Sequence, residues 1–93
     1  MVKYKQRTRF RLCRFYNGQY YSGCSIALNI DLLKITLAFV PILEIIYSDI
    51  VELSYVKSKV NISTKNKNYY EILLPTQKSA RLLYEGLLAR AQI

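Results

Sequence analysis

The chain has no histidine, two cysteines, three glycines, two prolines and six acidic residues among its 93, and each scarcity closes off a class of chemistry. Histidine is the usual general acid or base, and the six acids are scattered along the sequence, so no carboxylate pair takes its place. Metal sites of the Cys/His type lack their ligands. Three dispersed glycines are too few for a phosphate-cradling loop. Two cysteines do not make a disulfide framework. The most apolar stretch, Ile35 to Tyr47, contains Pro41 and Glu44 and is shorter than the roughly 20 residues needed to cross a bilayer. No apolar run follows the basic N-terminus, as one would in a signal peptide. These absences lead us to expect a protein that is not an enzyme, needs no cofactor, and is cytoplasmic or peripheral at a membrane.

Hydrophobic residues make up 52% of the chain, which is enough for one core, and residues 1–93 read as a single domain. The net charge of +8 is unevenly spread: residues 1–16 carry +6, residues 17–56 carry −3 and residues 57–93 carry +5. A concentrated basic surface attracts phosphates on nucleic acid or anionic lipid, or an acidic protein. Excess charge that only maintains solubility is the plainer alternative.

Period-two alternation runs from Tyr4 to Tyr16, with Lys5, Arg7, Arg9 and Arg11 on one face and Thr8, Phe10 and Leu12 on the other, predicting a half-buried strand. A second strand alternates Cys24, Ile26 and Leu28 with Ser25, Ala27 and Asn29. A three-residue loop, Asn17 to Gln19, keeps charge out of the core. It pairs Phe10 with Ile26, Leu12 with Cys24 and Arg9 with Ala27, and sends Cys13 and Cys24 to opposite faces. Further strands are expected at Ile35 to Phe39, Leu43 to Tyr47, Ile50 to Val56, Val60 to Thr64 and Tyr70 to Leu74. After Pro75 the period changes. Ala80, Leu83, Tyr84, Leu87, Leu88 and Ala91 fall on one stripe of a helix that Thr76 would cap. The expected fold is mainly β (α+β), a small barrel of about seven antiparallel strands closed by one C-terminal amphipathic helix.

That order of elements resembles the pleckstrin-homology (PH)-like superfamily, and several local patterns are similar to its GRAM and bacterial PH branches. They are Gly23-Cys24-Ser25-Ile26-Ala27-Leu28-Asn29, the strand start at Leu33 and Ile35, Ile45-Ile46-Tyr47-Ser48-Asp49-Ile50, and Val60 to Thr64 followed by Tyr70-Glu71-Ile72. Leu32 stands where the family often has arginine, and Ile45-Ile46 where it has a hydrophobic-proline pair. Sm-like and OB-like barrels are the competing architectures, although neither usually ends in a long helix. The resemblance implies a binding module for phospholipid headgroups or for a protein partner. Lys5-Gln6-Arg7-Thr8-Arg9 is similar to the basic pattern of phosphoinositide-binding members, though here it lies inside the first strand and not at the loop.

The candidate anion-binding residues are Lys3, Lys5, Arg7, Arg9 and Arg11, a same-face line of about 27 Å. The competing explanation is a charged edge strand that deters aggregation. Near an anionic leaflet five such cations contribute roughly 5 kcal/mol, a millimolar-to-submillimolar attraction, so avidity, a pocket or another anchor such as exposed aromatics at Tyr20 and Tyr21 would be needed. An anionic membrane surface or an acidic protein is the first-choice partner. Nucleic acid is second, through arginines interleaved with Tyr4, Tyr16, Tyr20, Tyr21 and Tyr55. A peptide along a sheet edge or beside the helix is the third class.

Overall fold

The computed structural model describes residues 8–91. Seven antiparallel strands form one sheet: β1 (Arg9–Tyr16), β2 (Tyr20–Leu28), β3 (Leu32–Leu37), β4 (Val40–Ile46), β5 (Ile50–Val56), β6 (Lys59–Thr64) and β7 (Tyr69–Leu73). A 3-10 turn, Tyr47–Asp49, joins β4 to β5, and the helix α1 spans Gln77–Ala91. The strand order is β4-β3-β2-β1-β7-β6-β5, which leaves β4 and β5 as the two edges. Period-two segments before Pro75 and a period near 3.6 after it are therefore a sheet and a helix, as the pattern predicts.

The strand β1 is the hinge between the two halves of the sheet. It pairs with β2 along its length but with β7 only through Arg14, Phe15 and Tyr16. The loop is Asn17 to Gln19, with Tyr16 opposite Tyr20, and Arg9 and Phe10 face Ala27 and Ile26. Between these ends the register departs from simple alternation. Arg11 and Leu12 together oppose the single Ser25, and farther on Ser22 and Gly23 oppose the single Arg14, so two bulges cancel and Cys13 lies opposite Cys24. The first has Leu12 at φ +58° and the second Gly23 at φ +74°, a conformation that glycine adopts without a Cβ penalty.

Two expectations are corrected here. Leu12 is not in the core but 77% exposed, and Cys13 and Cys24 do not face opposite ways, since both are wholly buried on the inner face. The reason is parity. Phe10 and Phe15 are five positions apart, so strict alternation would bury one and expose the other, and would push Arg14 inward. One extra residue in β1 puts Phe10, Cys13 and Phe15 inside and Arg9, Arg11 and Arg14 outside. The expected strand at Ile35 to Phe39 also ends early, because Ala38 and Phe39 form a turn and Pro41 lies within the edge strand β4.

The core lies on one face of the sheet, where Phe15, Ile26, Leu33, Ile35, Ile62 and Ile72 meet Ala80, Leu83 and Leu87 of the helix. Thr76 caps α1, its Oγ1 accepting from the Ser79 backbone N–H at 3.0 Å. The helix packs against β5, β6 and the 3-10 turn. At Gly86 a Cβ would stand 2.9 Å from Cδ1 of Leu28, so the missing side chain lets the helix settle against the end of β2. Leu88 departs from the expected stripe, being 38% exposed. Tyr47 ties the 3-10 turn to the β2–β3 connection by donating its hydroxyl to the Asn29 carbonyl at 2.7 Å.

Leu87→Ala should cost about 2–5 kcal/mol in a denaturant melt, the usual loss for a buried leucine. A loss below about 0.5 kcal/mol would mean that the helix does not close the core. Neither cysteine is in a disulfide, and burial pushes the Cys24 thiol pKa up, which disfavours its thiolate. Thiol titration without reductant should therefore find no reactive thiol in the native protein and both after unfolding. Finding none after unfolding would contradict the unbridged pair.

Candidate functional site: a basic face with an exposed aromatic tip

The two outer faces of the sheet differ in how their charges are satisfied. On the outer face of β5, β6 and β7 the polar groups pair among themselves. The Tyr69 hydroxyl lies 2.9 Å from Glu71 Oε2 and 3.0 Å from Asn61 Oδ1, the Asn61 amide reaches Ser54 Oγ at 3.4 Å, and Lys59 Nζ stands 3.7 Å from Glu71. A face so occupied has little charge left for a ligand.

The outer face of β1, β2 and β3 is the opposite case. It carries a groove of about 560 Å³ whose walls include Arg9 and Arg11 of β1 and Lys34 of β3. Ser25, Ala27 and Thr36 form its floor, and small side chains on β2 and β3 are what leave the space. Among the described residues no aspartate or glutamate lines it. Lys34 is partly compensated by Glu44 at 3.9 Å, whereas Arg9 and Arg11 are exposed. Arg14 is exposed one bulge farther along the same strand. Of the five predicted anion-binding residues, Arg9 and Arg11 are thus brought to one groove, and Lys3, Lys5 and Arg7 lie outside the described residues.

Sequence reasoning missed Lys34 and Phe39, which complete this groove. Phe39 is 98% exposed and Val40 beside it 59%. Leu37 pairs with Val40, so Ala38 and Phe39 alone make the turn, with φ values of +52° and +69°. Positive φ at both central residues is the type I′ signature, which normally selects Asn-Gly, because a Cβ there costs about 1–2 kcal/mol per residue. The turn is hidden in the sequence because nothing in Ile35 to Leu43 reads as a turn signal before Pro41. The expected aromatic anchors fare differently: Tyr20 is 62% exposed but packs on Tyr16 with ring centroids 4.7 Å apart, and Tyr21 stacks on Phe15 at 6.0 Å.

Among the described residues no group of His, Cys, Asp and Glu could hold a metal ion, and no helix is long and apolar enough to cross a membrane. Comparison with known proteins finds no matching family model and no matching curated protein.

Replacing Phe39 with glycine should raise stability by about 1 kcal/mol, because the left-handed backbone is then unstrained and an almost fully exposed ring is all that is lost. Destabilisation in a denaturant melt would show that Phe39 supports the fold.

Proposed function

We propose that this chain is a non-catalytic, PH/GRAM-like binding module that recognises phosphate groups of anionic phospholipids through the outer face of β1. The observation that carries this reading is the groove lined by Arg9, Arg11 and Lys34 and by no acid, in which Arg9 and Arg11 are exposed and Lys34 is partly compensated by Glu44. Guanidinium groups on a rigid strand offer forked donors to phosphate oxygens. The small floor residues leave room for a headgroup between them. The meander β4-β3-β2-β1, the second meander β7-β6-β5 and the helix that follows them support the PH-like reading.

Arg9 and Arg11 are exposed while Phe10 between them is buried, so the double variant Arg9→Ser/Arg11→Ser should melt within a few degrees of the wild type. Each cation contributes about 1 kcal/mol at an anionic leaflet, so partitioning onto phosphatidylserine-containing vesicles should fall roughly 30-fold. The same pair should be measured on single-stranded and duplex oligonucleotides at about 50 and 200 mM salt, where phosphate contacts give a log–log slope near 0.7–0.9 per contact. Wild-type preference for oligonucleotides over vesicles, or unchanged vesicle binding by the variant, would overturn the lipid reading.

A second reading, docking of a peptide, is favoured by one separate observation. The edge strand β5 exposes Val51 and Val56, and Leu88 of α1 lies half-open over a groove beside it. An extended apolar peptide could add to that edge and cover Leu88. Leu88→Ser would weaken such a partner and leave vesicle binding intact.

A further inference from the structure

The β3–β4 hairpin carries a combination that its role as a connection does not require. Ala38, Phe39, Val40 and Pro41 are all exposed, and no charged residue occurs from Ile35 to Leu43. Both central residues of the turn are held in the left-handed region. Phe39 nevertheless lines the groove that holds Arg9 and Arg11, so an apolar tip and two cations without lining acids share one surface.

We propose that this tip is a membrane anchor. Phe39, with Val40 beside it, enters the boundary between headgroups and acyl chains of an anionic bilayer, while Arg9 and Arg11 hold lipid phosphates at the surface. This rests on the lipid reading of the basic face and adds what that reading lacks, an apolar contribution to offset the weakness of charge alone. A bilayer accounts for all four exposed tip residues, Ala38 to Pro41. A nucleic-acid base would use the ring of Phe39 by stacking but would leave Val40 and Pro41 without a role. The two-residue turn fixes the backbone at the tip, so little loop freedom is lost on insertion.

The chain contains no tryptophan, so Phe39→Trp provides a single reporter at the tip. With phosphatidylcholine/phosphatidylserine vesicles its emission should shift to the blue and be quenched by lipids brominated on their acyl chains, and neither should occur with phosphatidylcholine alone. Phe39→Ser should lower partitioning on anionic vesicles roughly tenfold, the scale of burying one aromatic ring in part. Ala38→Asn/Phe39→Gly should lower it equally while raising the melting temperature, which separates loss of the anchor from loss of the fold. If the Phe39→Trp protein co-sediments with anionic vesicles but its emission neither shifts nor responds to bromine, the tip stays in water; the anchor is then wrong and the lipid reading stands. If the wild type does not sediment with anionic vesicles, both fall. Quenching of the Phe39→Trp emission by single-stranded oligonucleotide in the absence of any vesicle effect would overturn the anchor in favour of base stacking.

Discussion

A sheet with one apolar face has to keep that face covered, and here the rest of the structure depends on how β1 keeps its apolar residues on it. The strand begins beside β2 alone and acquires β7 as a second neighbour only at Arg14. The two bulges sit at that change of partners, where extra residues increase twist and let a strand change direction. They also resolve the conflict of parity between Phe10 and Phe15. Keeping Phe15 inside, at 1% exposure, is worth about 1.5–3 kcal/mol, and keeping Arg14 out avoids burying an unpaired charge at several kcal/mol. Against these, the left-handed backbone at Leu12 costs about 1–2 kcal/mol. The bulged strand is therefore the more stable arrangement.

The same constraint decides where charge accumulates. Once Phe10, Cys13 and Phe15 are committed to the core, the residues between them can only face water, and Arg11 and Arg14 are among them, with Arg9 just before. On β6 and β7 the outward residues are Asn61, Tyr69 and Glu71, which close hydrogen bonds and an ion pair among themselves and with Lys59. The outward residues of β2 and β3 flanking the arginines are Ser25, Ala27, Thr36 and the cation Lys34, none of which carries a negative charge to neutralise them. The two regions of the sheet therefore end with different electrostatics because Glu71 stands among the outward residues of β6 and β7, whereas no acid lines the groove of Arg9 and Arg11.

Much of this is legible in the sequence. The change of period at Pro75, the Thr76 cap and the loop from Asn17 to Gln19 follow from local chemistry, and the register at both ends of the first hairpin follows from keeping arginine out of the core. The middle of that hairpin differs from what alternation predicts, although the signal is present: Arg11 and Arg14 cannot both face outward in an unbroken strand, and Gly23 marks the compensating bulge. Phe39 is hidden for a different reason. Apolar residues on both sides of a turn that contains no glycine, asparagine or aspartate look like one continuous strand, and only the pairing of Leu37 with Val40 separates them. Leu88 falls outside the core because helical periodicity defines a stripe but not how wide a sheet lies beneath it.

The non-glycine residues in left-handed conformation can be ranked by what the fold gains from them. Leu12 makes possible the burial of Cys13 and Phe15. Lys57 and Lys67 are single polar residues in turns, and the turn at Lys67 is held by the Thr64 and Asn68 backbone at 2.9–3.0 Å. Ala38 and Phe39 are different. Two consecutive residues are strained and neither is fully buried, so little packing offsets the cost, and Asn-Gly would make the same turn without it. Strain that a simpler sequence would remove, coupled to an aromatic ring exposed beside arginines, is what the proposed membrane anchor would account for.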